Sequence, residues 1–534
     1  MRSIICVLCL LLAWPVAAKV KLQVPAELAP THGFVYVAYP KGGSIGLQVR
    51  LEGGGKPIML DTATTASPMA GAQAFGRWLP PGQYRLGVWG AMKWENGPVF
   101  EVQAGRVTDL GGLVPVNIGG YQIVMMPVRH AENAGDLALA TQSFRELLKD
   151  PAPIVVDIAQ VSAPMTLVQP STGLGLIADL LIAHDRKINK PSTLEQLKAA
   201  TVPADFLRLA RTVVPPLQDE PAILPDGTLY FTADLGQIRK RSPDGQWSNI
   251  GMDTLRQTLA VEYANGRLIA GSDDGHLRSS EDGGSHWNAL KPLKISESII
   301  DIDHADGQWV LASMETFDDP TAPRSSGMLA AAATARSARL RVYTGRSDDL
   351  SDLSLSKEFV LTPKDQIGWM GARGQLVDGR YYITIAPNVH RLELSSGQWT
   401  TLAPGPRVSS LRVDRKTGVL SALWSQGAFS KVYVSSDHGD SWTQIGRPPY
   451  IIFDVQMDAA DAGWASRWNM DAFGGKWELY RYVPAKNDWE QTGEAPFNCK
   501  PLRVSADVPL LCIANDASIF GMRDGKWEVE FSAR

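Results

Sequence analysis

The chain has 534 residues, with 52 Lys+Arg against 56 Asp+Glu, so it has room for two or three domains with substantial cores. The slightly acidic balance lacks the basic domain or stripe that nucleic-acid binding requires, and a charged fraction of 20% is too ordinary for long disorder. The 49 Gly and 16 Trp point to many short strands joined by tight turns.

Residues 1–18 carry Arg2, an apolar run from Ile4 to Leu12 and the small-residue ending Val16-Ala17-Ala18. That is the pattern of a secretory signal peptide, too short to anchor a mature chain in a bilayer. Neither Cys6 nor Cys9 has a lipoprotein context, and no later apolar run is long enough for a membrane helix. The mature chain is expected to be exported, to the periplasm or beyond, with no transmembrane segment.

Residues 19–130 read as strands punctuated by Gly and Pro: Phe34–Tyr39, Ile45–Leu51, Gln83–Trp89, Val99–Val102 and Tyr121–Met125. The stretch Leu79-Pro-Pro-Gly-Gln-Tyr84-Arg-Leu86, followed by Phe100-Glu-Val102 and a strand led by Gly105, resembles the small transthyretin-like or carboxypeptidase-regulatory-like β-sandwich. The resemblance implies a domain that spaces, docks or binds.

Residues 131–218 change period. Asp136–Leu148 has apolar residues at helical spacing, Leu174–Ala183 suggests a second helix, Ser192-Thr-Leu-Glu195 forms a capping box, and Phe206–Val213 ends before Pro215-Pro216. This segment is expected to be a helical connector. Gly173-x-Gly175 lacks the Lys and third Gly of a phosphate loop and reads as a helix start.

From residue 219 to 534 the chain repeats. Trp247, Trp287, Phe359, Trp399, Trp442, Trp489 and Trp527 mark the units, separated by 40, 72, 40, 43, 47 and 38 residues. Each unit has four strand-like runs, which is the size of a propeller blade. The long gap could hide an eighth unit, but Glu315–Ala335 has no strand alternation, so it reads as an insertion between the second and third strands of one blade. The fold expected is mainly β: a seven-bladed β-propeller preceded by a small β-sandwich and a helical connector.

Two units carry Ser-x-Asp-x-Gly-x-x-Trp, as Ser280, Asp282, Gly284 and Trp287 and as Ser435, Asp437, Gly439 and Trp442. The Asp suits a tight turn, the Gly supplies positive φ, and the Trp is expected to plug the apolar layer beneath. The motif resembles the Asp-box, or bacterial neuraminidase repeat, of sialidase-like propellers. The repeat pattern is also similar to that of photosystem II assembly-factor-like propellers. The first resemblance implies a glycosidase with an Arg triad and a Tyr nucleophile, the second a non-catalytic protein-binding scaffold. The Arg-Ile-Pro signature of sialidases is missing and no triad Arg can be placed, so no catalytic residue is assigned.

The eight histidines show no ligand spacing, and Asp273-Asp274 and Asp318-Asp319 lack a calcium-loop ladder and read as solvated turns. No metal and no cofactor is expected. Of the cysteines beyond the signal, Cys499 and Cys512 suit a disulfide in an oxidising compartment. Unbridged thiols remain open, because a hairpin turning tightly near Asp507 would face Cys512 toward a position nearer Val504. Loop aromatics on the face with the insertion, Trp424, Phe429, Trp468 and Phe473 with Asp471, together with Arg324 and Met328 of the insertion, are the candidates for binding a protein or glycan. Met328–Ala335 has helical composition and could dock a partner or cap the channel.

Overall fold

The computed structural model describes residues 25–533 except 40–46, 65–73, 89–96, 118–121, 157–164, 169–179, 181–182, 185–191, 218–220, 292–296, 319–335, 362–371, 386, 406–407, 425–428, 449–452, 472–473, 497–498, 506 and 515–516. The signal segment, Gly173-x-Gly175, most of the helix expected over 174–183, Arg324, Met328–Ala335 and Phe473 lie outside the described residues.

The N-terminal strands are β1 (Gly33–Ala38), β2 (Leu47–Leu51), β3 (Ile58–Met59), β4 (Asp61–Thr64), β5 (Ala74–Leu79), β6 (Gly82–Val88), β7 (Val99–Val102), β8 (Val107–Asn117), β9 (Gln122–Val128), β10 (Ile154–Val155) and β11 (Met165–Val168). They form one sheet in the order β11-β9-β8-β1-β5-β4, with β10 beside β8, and a second in the order β3-β2-β6-β7. Val35 and Val37 of β1 share a core with Val49, Leu86 and Phe100 of the second sheet. On its other side β1 packs Phe34 and Tyr36 against Trp78, Ala140 and Phe144. Burial on both faces explains why β1 is an unbroken apolar run without alternation.

Residues 131–218 hold three described helices of eight or more residues, α1 (Glu132–Thr141), α2 (Ser192–Ala199) and α3 (Pro203–Val213). The period of the segment predicts helix throughout, but β10 and β11 lie within it and extend the first sheet. Strands of two and four residues are too short to display alternation. Phe206, Ala210 and Val213 of α3 pack with Val124 and Met126 of β9 on one side and with Leu235, Leu255 and Ala517 of the C-terminal part on the other. One apolar core therefore joins α3 to β9 and to the C-terminal part.

The C-terminal part is a β-propeller. Among the described residues it contains seven four-stranded antiparallel sheets, each continuous in sequence. Sheet 1 runs from Ala222–Ile223 to Trp247–Gly251, sheet 2 from Thr258–Ala264 to Asn288–Ala289, and sheet 3 from Ser298–Ala305 to Ser354–Leu361. Sheets 4 to 7 begin at Arg373–Val377, Ser410–Val413, Phe453–Ala459 and Cys499–Leu502, and sheet 7 ends at Lys526–Phe531. A separate apolar cluster fills each successive interface, and one more joins Leu229 and Phe231 of sheet 1 to Leu511, Ile513 and Ile519 of sheet 7. The clusters thus form a closed cycle. The long gap between Trp287 and Phe359 contains sheet 3, whose second and third strands, Gln308–Asp318 and Arg336–Gly345, flank residues 319–335.

Cys499 and Cys512 are bonded as a disulfide, with Cα atoms 5.6 Å apart. The hairpin does reverse beside Asp507, but the residue facing Cys512 is not one nearer Val504. Cys512 lies opposite Pro501 and Cys499 opposite Ala514, so the two cysteines are diagonal neighbours on one face of the hairpin.

Candidate functional site

In a four-stranded meander the turns after the first and third strands lie at one end of the sheet. The turn after the second strand and the link to the next sheet lie at the other. Ser280 and Ser435 end third strands, so their turns occupy the first end, opposite the end at which the strands closing at Asp318 and opening at Arg336 meet in sheet 3.

The two Ser-x-Asp turns are built alike. Ser280 Oγ donates to Asp282 Oδ1 at 2.8 Å and accepts the Gly284 N–H at 2.8 Å, while the His286 N–H reaches Asp282 Oδ1 at 2.9 Å. Ser435, Asp437, Gly439 and Ser441 repeat this at 2.7, 2.8 and 2.9 Å. Backbone and side-chain donation from His286 holds the Asp282 carboxyl well below the usual range, and the Ser441 and Ser435 hydroxyls with the Ser441 N–H do the same for Asp437. Trp287 and Trp442 donate their indole N–H groups to Gly284 O and Gly439 O. Both indoles are half-buried, so they flank the apolar layer as lids and are not the fully buried plugs expected.

At the opposite end, sheet 5 carries an open cleft of about 550 Å³ lined by Trp424, Phe429, Lys431, Gln444, Ile445 and Arg447, with Ser430 and Gly446 between them. Trp424 closes the second strand, Lys431 opens the third, and Ile445 ends the outermost strand, so antiparallel register alone gathers these three stretches. The Lys431 ammonium stands 5.4 Å from the Trp424 ring centroid, a cation–π distance. Phe429 is 74% exposed. Of the other candidates, Trp468 does not line this cleft. It packs on Trp477, its cross-strand partner, at 5.5 Å between centroids, and Asp471 ends the same strand. Lys431 and Arg447 carried no signal in the sequence, because nothing about an isolated cation marks it as lying beside a Trp.

Inside the ring, the first strands of sheets 2 to 5 enclose a second cavity, about 130 Å³, with Asp301, Asp303, Arg373, Gln375, Arg412 and Arg415 on its wall. Arg415 reaches across it to Asp303 at 3.2 Å and stands 4.0 Å from Glu262, and Arg412 pairs with Asp454 at 3.3 Å. The Tyr381 hydroxyl donates to Asp301 at 2.7 Å. It can do so only because residue 374 is Gly: a Cβ there would stand 1.9 Å from the Tyr381 oxygen. Burial, with the Asp301 charge, pushes the Tyr381 phenol well above its usual range, and burial pushes the Glu262 carboxyl up to about 7 against the opposing charge of Arg415. Alternating charges on an otherwise apolar inner strand, as in Ile300-Asp-Ile-Asp303, are the signal that could have located this cluster.

Asp273 and Asp274 are not the solvated turn expected. Both are buried, because Arg256, paired with Asp136 of α1 and 3.4 Å from Asp274, needs anionic neighbours at the junction of the N-terminal part and the propeller. His276 Nδ1 lies 3.0 Å from Asp274. Its hydrogen bond with Asp274 raises the imidazole above the ordinary histidine range.

No protein-family model and no curated protein matches the chain. Solved structures similar to it include YCF48 bound to D1 peptide, at 11% identity and a TM-score of 0.39, covering 57% of this chain and 91% of that one. YCF48 from Cyanidioschyzon merolae is similar at 10% identity and a TM-score of 0.38, covering 58% and 92%. The computationally designed Ika8 protein is similar at 12% and 0.35, covering 59% and 88%. What YCF48 binds is a property of YCF48.

Proposed function

We propose that the chain is an exported, non-catalytic binding protein. In this reading a small β-sandwich and helical connector carry a seven-bladed propeller with Asp-box turns. A protein or glycan partner is taken on the face with the loops between second and third strands. The observation that carries the reading is the cleft of Trp424 and Phe429, where a largely exposed aromatic ring sits beside a partly buried one and a cation. Aromatic side chains in such settings dominate binding energy. The Cys499–Cys512 bridge supports export, since such bonds persist in oxidising compartments. The test compares wild type with a Trp424→Leu/Phe429→Ala variant in capture of proteins and glycans from an exported fraction. Lost capture with unchanged melting temperature is expected, and unchanged capture overturns the reading.

The alternative is a glycoside hydrolase related to sialidases, favoured by three arginines and the Tyr381–Asp301 pair around one cavity. A Tyr nucleophile must meet its substrate, and Tyr381 is fully buried. Arg412 and Arg415 already pair with carboxylates of the chain. Turnover of a fluorogenic sialoside, lost on Tyr381→Phe, would overturn binding in favour of catalysis.

A further inference from the structure

The cleft on sheet 5 differs in charge from the rest of the molecule. Acids outnumber bases over the whole chain, 56 to 52, yet among the described residues the cleft is lined by two cations, Lys431 and Arg447, and by no carboxylate. Lys431 is steadied above Trp424, and Arg447 donates to the Pro448 carbonyl at 3.3 Å. The rings of Trp424 and Phe429 line the same cleft, at whose floor Ile445 belongs to the buried core between sheets 5 and 6. Among the described residues the strand Thr443–Ile445 is paired on one side only, to the third strand of its sheet. Gly446, the next residue, is already held by sheet 6, its N–H by Asn487 Oδ1 and its carbonyl by the Trp489 indole, both at 2.7 Å, so it is the outer edge before Gly446 that offers backbone groups to an extended chain.

These features select a ligand. A carboxylate gains little from an exposed ammonium in water, and more where apolar contacts exclude water around the pair. Apolar contacts supply affinity, while the cations choose the sign of the charge. We propose that this cleft binds an extended, acidic segment of a partner protein. One carboxylate would lie against Lys431 and Arg447, and an apolar side chain two residues along, on the same face of the extended segment, between Trp424 and Phe429. The proposal rests on reading this face as a binding surface.

The full chain is tested by fluorescence anisotropy with three labelled peptides of roughly eight residues in which Leu and the test residue, Glu, Gln or Lys, take turns at every second position with Thr between them, so that both share one face of the extended peptide. The Glu peptide is expected to bind, with affinity falling about tenfold between low and high salt. Lys431→Glu with Arg447→Glu should abolish that binding and admit the Lys peptide, a gain that misfolding cannot mimic. Phe429→Ala should weaken binding in either charge background. If the Gln peptide binds as tightly as the Glu peptide without salt dependence, the acidic assignment falls while the binding face stands. If no peptide binds but a heparin oligosaccharide does, the partner is a polyanionic glycan and the peptide assignment falls. If none binds while capture still depends on Trp424 and Phe429, the acidic assignment alone falls; if none binds and that capture is unchanged in the Trp424→Leu/Phe429→Ala variant, both readings fall.

Discussion

Arg241 and Glu530, 289 residues apart, meet as a two-pronged ion pair: Nε donates at 2.8 Å and Nη2 at 2.6 Å, with the side chains only 2% and 3% exposed. Trp247 donates to the same carboxylate at 2.9 Å. Burial works to raise the Glu530 carboxyl, but these donors hold it below the usual range. Because each sheet is continuous in sequence, no strand is shared between sheets 7 and 1, and this pair with the apolar cluster beside it joins them.

Glu530→Ala should therefore cost about 3–5 kcal/mol, since it strands a buried guanidinium. Arg241→Met combined with Glu530→Leu should recover most of that. Urea unfolding of the three proteins decides it, and a loss under about 1 kcal/mol for Glu530→Ala would show that packing alone holds the two sheets.

Replacing both Cys499 and Cys512 by Ala should lower stability by about 3 kcal/mol, the chain-entropy value for a bridge across a separation of 13 residues. Denaturation with and without reductant gives the same comparison in the wild type. Indifference to both treatments would show that the bridge does not restrain the unfolded chain.

Gly284 and Gly439 have φ of +96° and +93°, and a Cβ on them would stand 2.3 Å from Ile250 and 2.6 Å from Leu402, each in the preceding sheet. Either Gly→Ala change should cost about 1–3 kcal/mol through strain and overpacking. Trp287→Ala should cost about 1–3 kcal/mol, below the range for a fully buried Trp, because its indole is half-buried. Thermal unfolding tests all three, and a larger loss for Trp287 would restore it as a core plug.

His276 and Asp274 tie part of the propeller's stability to pH. The raised His276 value means that its contribution is full below the unfolded value of about 6.5 and is lost as pH rises through the folded one. Burial opposes ionisation of Asp274, but His276 and Arg256 hold its carboxyl low, so its contribution is lost only as pH falls through that depressed value. The stability difference between wild type and His276→Gln should shrink as pH rises from about 6.5 through the raised folded value. A difference that stays constant with pH would remove the imidazole from this role.

Glu262 carries the opposite liability for a carboxylate. With its folded value near 7, it favours the fold while neutral, and this contribution disappears as pH rises from the unfolded value through 7. Glu262→Gln should be the more stable protein above that range, with its advantage vanishing in acid. An advantage independent of pH would assign the effect to packing.

The turns were legible because their hydrogen bonds are local: Ser280, Asp282, Gly284 and His286 contact one another within one short loop. The four-strand repeat was legible through its outer-strand aromatics. The cleft was legible only in its aromatics, Trp424 and Phe429, since Lys431 and Arg447 join them through strand register. β10 escaped notice because Ile154-Val155 is shorter than one full alternation, and Asp273 because a buried acid looks like a turn acid until Arg256 is seen beside it.

The continuity of each sheet also orders assembly. Every sheet can form from neighbouring residues, whereas the contact of Arg241 with Glu530 closes a loop of nearly the whole ring, the costliest closure in entropy. We expect refolding to pass through an open crescent whose two apolar flanks, Leu229 with Phe231 and Leu511 with Ile519, stay wet until the clasp shuts. Pulse-labelled hydrogen exchange that protects those flanks first would reverse this order. Until that last step the crescent exposes two matching flanks, and a second crescent is as good a partner for them as its own far end.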